Sequence, residues 1–506
     1  MPYYIDPMLT ELRALIADLG KGGGIISPSV YDTAQVLRLY PPNEDVEPAF
    51  QWLLAQQRAD GGWGSAETPY ARDVPTLAAS LALHTHYQGK QQAAVDAGLT
   101  FLQQQADQWA ELPIDALPIA TEMILPYLIE EANTCGLALN PAPYAILYQL
   151  RNRKREKIGK RPLQAGAAPT YSWEALGQHV DTLLPDQSGG IGHSPAATAA
   201  WLRQATRHSE LAESCATARR YLAKAAAATR MGIPGVVPNV WPIVGFELSY
   251  APYALLITGL LQHSALQDVI DPIMDELWVI MKRGHGVSFG QYFTPDVDET
   301  GVAMAVLQAT AYAVDHSVIL QFENGNHFCT FQHELNPSVF SNAHALKALA
   351  TVGKRYPAAE DFLLKRQCND GRWQADKWHN SWLYTTLEVA LTLDHLGHTI
   401  PVEKALKSFL QNQKSDGGWG GSCQSTRAET GYAIIALQMA QKRGYLDPQG
   451  AYALERGFDW LQREWQSPTK TDEMLWLGKE LYTPYRVDRI YELSALLSVA
   501  QEPVMA

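Results

Sequence analysis

The sequence predicts an all-α protein with two α-barrel domains, and two observations support this prediction. The first is a pair of segments that align without a gap, AFQWLLAQQRADGGWG at 49–64 and ALKSFLQNQKSDGGWG at 405–420. The second is the helical spacing of apolar residues, as in AMAVLQATAYAV at 303–314, while strand-like alternation is sparse. Because each repeated helix pair exposes an apolar face, the pairs must close or stack, which favours barrels of concentric helices.

Each repeat is an amphipathic helix that ends in Gln, followed by an Asp-Gly-Gly turn, a Trp and the start of a new helix. Weaker copies at 366–374 and 185–202 indicate that both halves of the chain carry this unit. The glycines permit positive φ in the turn, and we expect Asp60 and Asp416 to cap the amides of the following helix. We also expect the Trp to stack on the Gln amide of its own repeat.

The boundary between the two domains is indicated by a change in composition at 223–242, where an Ala-rich helix gives way to Gly and Pro. Residues 1–24 alternate acidic with aliphatic residues. They lack both the basic N-terminal region and the uninterrupted apolar stretch of a signal peptide, so they predict an amphipathic helix of the mature protein. No window approaches the ~20 apolar residues needed to span a bilayer. We therefore expect a soluble protein, with shallow contact with a membrane left open.

The composition excludes several classes of protein. The chain has 506 residues, 46% hydrophobic and 18% charged, which fits a large folded protein and excludes a disordered chain or a small binding module. Forty basic against 53 acidic residues give a net charge of −13, so we expect no nucleic acid partner, and an anionic ligand needs a local basic pocket. Five scattered Cys without a CxxC motif indicate neither disulfides nor zinc and fit a reducing cytoplasm.

The segment YFTPDVDETGVAMAVLQ at 292–308 is the most informative for function, because Asp296, Asp298 and Glu299 fall within four residues before a helix. One interpretation is an acidic cap, since helix N-termini stabilise carboxylates. The other is a Brønsted acid that protonates an alkene. Burial and like charge would hold the proton, and the helix end and hydrogen bonds would stabilise the anion that remains.

With the DGGWG repeats, the DVDET segment resembles the DxDD motif of the class II terpene cyclases. Other segments resemble, in the same order, blocks of plant copalyl diphosphate synthases: ISPSVYDTAQV (26–36), VPNVWPIVGFE (237–247), DKWHNSWLYTT (376–386) and LWLGKELYTPYRV (475–487). The segments LQFENGNHFCTF (320–331) and HELNPSVFSNAHAL (333–346) resemble bacterial halimadienyl diphosphate synthases. The resemblance covers nearly the whole chain.

This resemblance implies the βγ didomain of class II cyclases. Residues 23–230 would form a γ-like α-barrel inserted after the first helix, and residues 1–22 with 231–506 would form a β-like α-barrel that carries the acid motif. The implied reaction is a cyclisation of geranylgeranyl diphosphate that begins with protonation and retains the diphosphate. Its ionisation is not expected, because the class I motif DDxxD is absent and DPIMDE at 271–276 does not replace it.

The resemblance also implies roles for single residues. Asp298 would donate the proton, Asp296 would polarise it, and Glu299 stands where the family has a further Asp. Plant members hold their deprotonating base as a His paired with an Asn, and here those positions are Tyr171 and Asn239. Tyr171 could also be only a wall aromatic. A phenol is a far poorer base than an imidazole, so we expect hydride and methyl shifts to a clerodane (kolavenyl diphosphate) or halimane skeleton.

The diphosphate needs cations, and RNRKREKIGKR at 151–161 is the only dense basic run. It is either a solvated helix face or a binding site. The family's placement of a diphosphate-binding Lys favours Lys154 or Lys157, together with Lys377, and implies Mg²⁺ as the cofactor. Glu67 and Asp73, just after the first DGGWG turn, are the magnesium candidates.

Aromatic side chains can stabilise a carbocation without attacking it. The candidates for such a wall lie in the blocks that match the family, although each could equally be core packing: Trp241, Phe322, His327, Trp378 and Trp382. We expect structural roles for His193 and His344.

Several alternatives remain open from the sequence. A squalene–hopene-type cyclase usually needs a longer chain, more repeats and an apolar membrane plateau. A drimenyl diphosphate synthase acting on farnesyl diphosphate and a copalyl diphosphate synthase are closer rivals, and an α-solenoid scaffold would have no use for the acid triplet. For a cyclase, the expected partners are a prenyl diphosphate substrate and a downstream terpene synthase or phosphatase. We expect a monomer or homodimer.

Overall fold

The computed structural model describes residues 2–66, 68–111, 117–160, 163–176, 183–332, 334, 336–467 and 473–500. Within these ranges the chain forms α-helices, short 3-10 segments and one two-stranded hairpin. Helix α1 spans Pro2–Ala17, and the next eight helices are α2 (Val30–Leu39), α3 (Glu47–Ala55), α4 (Asp73–Tyr87), α5 (Gln92–Gln105), α6 (Thr121–Thr134), α7 (Ala145–Ile158), α8 (Pro195–Ala205) and α9 (Ala212–Ala228).

The remaining helices follow residue 243. They are α10 (Val244–Thr258), α11 (Gln267–Met281), α12 (Val297–Ala309), α13 (Ser317–Leu320), α14 (Val339–Ala350), α15 (Pro357–Leu364), α16 (Trp382–His395), α17 (Thr399–Gln411), α18 (Arg427–Lys442), α19 (Pro448–Glu464) and α20 (Tyr485–Ala500). Strands β1 (Trp476–Leu477) and β2 (Leu481–Tyr482) pair antiparallel between α19 and α20, with Trp476 opposite Tyr482.

The first group of helices closes into a ring. Helices α2, α4 and α6, the 3-10 segment Ala168–Ala175 and α8 each contact the next, and α8 returns to α2. Helices α3, α5, α7 and α9 form the outer layer of this first ring, and each packs against one inner helix.

The second group forms a larger double ring. Helices α10, α12, α14, α16, α18 and α20 contact one another in sequence, and α20 closes the ring on α10. Helices α11, α15, α17 and α19 lie outside it, and α1 packs between α20 and α11. The predicted all-α class with two α-barrels is confirmed, whereas the domain limits at 23 and 231 stay predictions.

The inner and outer helices differ in which of their residues are buried. Every residue of α12 from Val297 to Leu307 is buried, because outer helices cover its outward face. The outer helix α19 instead buries a single stripe that includes Ala453, Leu454 and Leu461, as expected for an amphipathic surface helix.

The repeats make the same hydrogen bonds in both rings. The indole N–H groups of Trp63, Trp373 and Trp419 each donate to a helix carbonyl ten residues earlier, at 2.7–2.8 Å. The side-chain amides of the repeat glutamines donate to the turn carbonyl four residues later and to the next outer helix. Each repeat therefore joins one outer helix to its neighbour.

The aspartates of the turns behave differently from the prediction. Asp60 and Asp416 accept hydrogen bonds from the backbone N–H groups of Gly62 and Gly418 within their own turns, and they do not cap the following helix. Gly61 has φ of +87° and its missing Cβ would lie 2.5 Å from the carbonyl oxygen of Ala97, which explains the glycine. Across the described ranges, no helix combines the length and apolarity required to cross a membrane.

Candidate active site

A cavity of about 700 Å³ lies between the two helical rings. Its wall is mostly apolar. The first ring contributes residues of α6, α7 and the segment Ala168–Ala175, and the second contributes α10, α12 and the β-hairpin. A concave, largely apolar cavity with a few convergent polar groups is typical of a small-molecule site.

All three acids of the DVDE motif line this cavity and are buried. Asp296 is the N-cap of α12, and its Oδ1 accepts hydrogen bonds from the backbone N–H groups of Asp298 and Glu299, both at 2.9 Å. The motif therefore caps the helix and also faces the cavity. Burial raises the pKa of Asp296 and of Glu299, and the charge of Asp298 raises both further, whereas the hydrogen bond with Glu299 lowers the pKa of Asp296. The pair thus tends to retain a proton near neutral pH.

Both oxygens of Asp298 are held by hydrogen-bond donors. The Tyr250 hydroxyl donates to Oδ2 at 2.6 Å, and Nδ1 of His344 lies 2.6 Å from Oδ1. Both contacts stabilise a negative charge on the Asp298 carboxyl group. The protein has here a buried acid that faces an apolar cavity.

His344 contacts the acid directly, which the expected structural role did not include. Its other ring nitrogen, Nε2, lies 3.1 Å from Oε2 of Glu388 on α16. Burial disfavours the charged ring, but the carboxyl groups of Asp298 and Glu388 outweigh it and raise the pKa of His344 to about 9. His193 also lines the cavity, with both ring nitrogens near backbone carbonyl oxygens.

Tyr171 lines the cavity, and Asn239 lies behind the wall next to it. A Cβ on Gly478 would lie 2.9 Å from the Tyr171 hydroxyl and 2.8 Å from Asn239 Nδ2, so both polar groups converge on this glycine. Asn239 Nδ2 donates to the carbonyl of Glu480, while its buried Oδ1 has no partner in the described part of the chain.

Burial makes Tyr171 a poor acceptor of protons. Burial and the negative charge of Asp32 raise the pKa of the phenol well above its ordinary value, so the phenolate is not formed. The buried ammonium of Lys479 lies 4.6 Å from the centroid of the Tyr171 ring and forms ion pairs with Glu174 and Asp32.

The basic residues of α7 supply the positive charge of the cavity. Lys154 and Lys157 both line it, and Lys154 forms an ion pair with Glu122 of α6. Lys377 is not on the cavity wall, because its ammonium is bound by the Glu334 carboxylate and the Asn336 carbonyl. The lysines and the acid come from different rings.

Of the two proposed magnesium ligands, the structure describes only Asp73, and Asp73 does not line the cavity. Glu67 lies outside the described residues. Asp73 is fully buried inside the first ring, where its Oδ2 accepts the indole N–H of Trp109 at 2.7 Å, and burial raises the pKa of Asp73 to about 7. Among the residues that the structure describes, no group of three or more His, Cys, Asp or Glu is arranged to hold a metal ion.

Of the five aromatic candidates, the structure places only Trp378 on the cavity wall. Trp241 packs against Tyr221, and Trp382 packs against Phe409. The Phe322 side chain belongs to the hydrophobic core, and the His327 ring stacks on Phe362. The aromatic wall is formed instead by residues that the sequence interpretation missed: Phe246, Tyr250, Phe289, Phe293, Phe331, Trp476 and Tyr482. Four of these, Phe246, Phe331, Trp476 and Tyr482, lie in the segments that match the family.

Comparison with known proteins identifies the family. The squalene-hopene cyclase C-terminal domain family matches residues 327–491. The chain is 42% identical to a (+)-kolavenyl diphosphate synthase from Herpetosiphon aurantiacus, over 99% of each protein, and 30% identical to a type B diterpene cyclase from Mycobacterium tuberculosis, over 96% and 98%. Among solved structures, it is similar to ent-copalyl diphosphate synthase from Streptomyces platensis, with a TM-score of 0.80 and 28% identity over 98% and 100% of the chains. The chain belongs to the class II diterpene cyclases.

Proposed function

We propose that this enzyme protonates the terminal alkene of geranylgeranyl diphosphate from Asp298 and releases a rearranged bicyclic diphosphate of the kolavenyl type. The observation that carries the proposal is the position of Asp298, which is buried at an aromatic cavity and held by Tyr250 and His344. The 42% identity to a kolavenyl diphosphate synthase supports the choice of product.

The first step is a proton transfer coupled to ring closure. The proton of the Asp298 carboxyl group moves to the terminal alkene carbon, the next two double bonds supply the electrons of two new carbon–carbon bonds, and a bicyclic cation results. His344 and Tyr250 stabilise the carboxylate that is left. The aromatic faces of Phe246, Phe289 and Trp476 stabilise the cation without offering it a nucleophile.

The diphosphate remains bonded throughout, because the electrons come from alkenes and no carbon–oxygen bond breaks. Lys154 and Lys157 are the cavity cations suited to bind it. The substrate would then extend from α7 of the first ring to α12 of the second. Because the product keeps an activated diphosphate, a downstream enzyme that ionises or hydrolyses it is the expected consumer.

Termination is the step that decides the skeleton. The bicyclic cation loses a proton early if a base is close, or undergoes hydride and methyl shifts if none is available. Tyr171 is un-ionised, and a neutral phenol is a weak base, so early deprotonation at this wall is slow. This argument favours a clerodane product, with a halimane product second.

Product identification tests the proposal directly. We expect incubation with geranylgeranyl diphosphate, followed by phosphatase treatment, to yield a bicyclic primary alcohol whose skeleton is read by mass spectrometry and NMR. Release of inorganic diphosphate during the cyclase reaction would contradict it. A faster reaction with farnesyl diphosphate would favour a drimenyl product, and an unrearranged skeleton would favour copalyl diphosphate.

Replacing Tyr171 with His is expected to move the product mixture towards unrearranged copalyl-type diphosphate. A difference of ~1.4 kcal/mol between the barriers to proton loss and to migration changes their ratio about tenfold. An imidazole beside Asn239 is basic enough to alter it by that amount. The measurement is the product ratio, with Tyr171→Phe as the control that has no basic group and is expected to keep the rearranged skeleton. An unchanged mixture in Tyr171→His would show that another wall controls termination.

We also propose that magnesium accompanies the diphosphate. Mg²⁺ is commonly held by one or two carboxylates together with substrate phosphates, and Glu122, beside Lys154 on the cavity wall, is the carboxylate in position to contribute. When bound, the ion neutralises part of the charge of the diphosphate.

A chelator is therefore expected to depress the rate at low magnesium. Glu122→Gln is expected to raise the magnesium concentration that gives half of the maximal rate, while Asp73→Asn leaves this concentration unchanged, because Asp73 is enclosed in the first ring. The measurement is the initial rate against free magnesium. A rate indifferent to chelation would remove magnesium from the mechanism.

A further inference from the structure

His344 is held between two carboxyl groups, one on each side of its ring. Nδ1 lies 2.6 Å from Asp298 Oδ1, and Nε2 lies 3.1 Å from Glu388 Oε2. A carboxyl oxygen that carries no proton can only accept a hydrogen bond, so each contact is strongest when Asp298 Oδ1 and Glu388 Oε2 are unprotonated and the ring nitrogen carries the proton. A neutral imidazole has only one N–H, and an imidazolium has two. The geometry therefore fits a ring protonated on both nitrogens.

The surroundings of Glu388 support the same charge state. Its side chain is fully buried, Oε2 also accepts the Tyr253 hydroxyl at 2.6 Å, and Oε1 has no hydrogen-bond partner in the described part of the chain. A buried carboxylate with so few donors needs a cation nearby. The imidazolium of His344 is in direct contact and provides it.

Other charged or titratable groups face this pair from every packed helix. They are Tyr250 and Tyr253 from α10, Asp298 from α12, Lys347 from α14, Tyr384 and Asp394 from α16 and Tyr491 from α20. The tyrosines are un-ionised, because burial raises their pKa values well above the ordinary value. Lys347 lies over the Tyr253 ring at 5.1 Å and interacts with both Glu388 and Asp394.

We propose that Glu388 is a positioning residue for the acid: it keeps His344 doubly protonated and orients its Nδ1–H onto Asp298. Glu388 is not on the cavity wall and acts on the substrate only through His344 and Asp298. The proposal rests on the assignment of Asp298 as the proton donor. The negative charge of the Glu388 carboxylate raises the proton affinity of His344. The resulting imidazolium stabilises the Asp298 carboxylate that forms during turnover.

The amide substitution Glu388→Gln tests this charge, since it keeps the shape and an oxygen acceptor and removes the negative charge. We expect kcat to fall with little change in KM, and the alkaline limb of the kcat profile to move to lower pH by about one unit or more. The sign follows because activity needs the protonated Asp298–His344 pair, and loss of the negative charge of Glu388 makes this pair give up its proton at lower pH. Glu388→Asp restores the charge and is expected to return the limb towards the wild-type position.

A matched control exists elsewhere in the chain. Glu360 on α15 is also buried, and its Oε2 lies 2.9 Å from Nε2 of His398, away from the cavity. Glu360→Gln makes the same chemical change beside a histidine and is expected to leave the pH profile of kcat unchanged. A shift in this control equal to that of Glu388→Gln would overturn the proposal, as would a Glu388→Gln profile that superimposes on the wild type.

A second measurement is made on the wild-type enzyme and uses a variant only to assign the signal. In the wild-type enzyme labelled with ¹⁵N-histidine, the ring nitrogens of His344 are expected to show imidazolium shifts at pH 8, with the signal assigned by its loss in His344→Gln. A neutral His344 at this pH would overturn the proposal. If Asp298→Asn retained activity while these shifts were observed, the donor assignment alone would fail, so the two failures are distinguishable.

Discussion

Asp298→Asn is expected to lower kcat by about 10³-fold or more, with the fold and the binding of the substrate preserved. The reason is that the amide has nearly the same volume as the carboxyl group and cannot transfer a proton to an alkene. The Tyr250 hydroxyl can still donate to the amide oxygen, so packing at the site changes little. The measurement is single-turnover cyclisation of geranylgeranyl diphosphate, together with substrate affinity and thermal unfolding of the variant.

Asp394→Asn is the matched control for this experiment. The Asp394 side chain is 8% exposed and that of Asp298 is 9% exposed, but Asp394 pairs with Arg443 and does not line the cavity. We expect the control to keep its activity. Substantial cyclisation by Asp298→Asn would mean that Asp296 or Glu299 supplies the proton.

His344→Gln is expected to give the second largest loss, a fall in kcat on the order of 10²-fold. Glutamine can still donate a hydrogen bond towards Asp298, but it carries no charge, and the carboxylate formed during turnover loses its cationic partner. The matched control is His398→Gln, which removes a histidine bonded to Glu360 outside the cavity.

The contribution of His344 to folding stability is expected to depend on pH. The pKa of His344 in the folded protein, about 9, lies above its ordinary value of 6.5. The stability gained from protonated His344 is therefore complete below about pH 6.5 and is lost as pH rises through about 9. The difference in unfolding temperature between wild type and His344→Gln should shrink over that range. A difference that stays constant to pH 10 would contradict a charged His344.

The fold class could be predicted from the sequence because the contacts that shape each repeat are made between residues of that repeat. Trp63 and Trp419 lie ten residues after the carbonyl groups that they bind, so the contact is local and repeats with the motif. The acid motif could be found for a similar reason, since the three acids and the capping hydrogen bonds of Asp296 lie within the first turn of α12.

The remaining parts of the site depend on contacts between distant segments. His344 meets Asp298 and Glu388 only because α14 packs between α12 and α16, and no local pattern indicates this. The matched blocks around Trp241 and Trp382 indicated the right region, but which side chain faces the cavity is decided by how each segment packs against the rest of the fold. Asp73 looked available in the sequence because its partner, Trp109, lies 36 residues later.

The position of α1 has a consequence for the order of folding. Helix α1 packs against α20, although the two helices are separated by almost the entire chain. During synthesis, the first helix leaves the ribosome long before its main neighbour exists, so its apolar face has no final partner until the last helix has been made. The first ring contains all its own helices and can close earlier. The second ring closes when α20 packs on α10, and only then can α1 pack against α20, a contact of very high sequence separation that makes this step slow and vulnerable to aggregation.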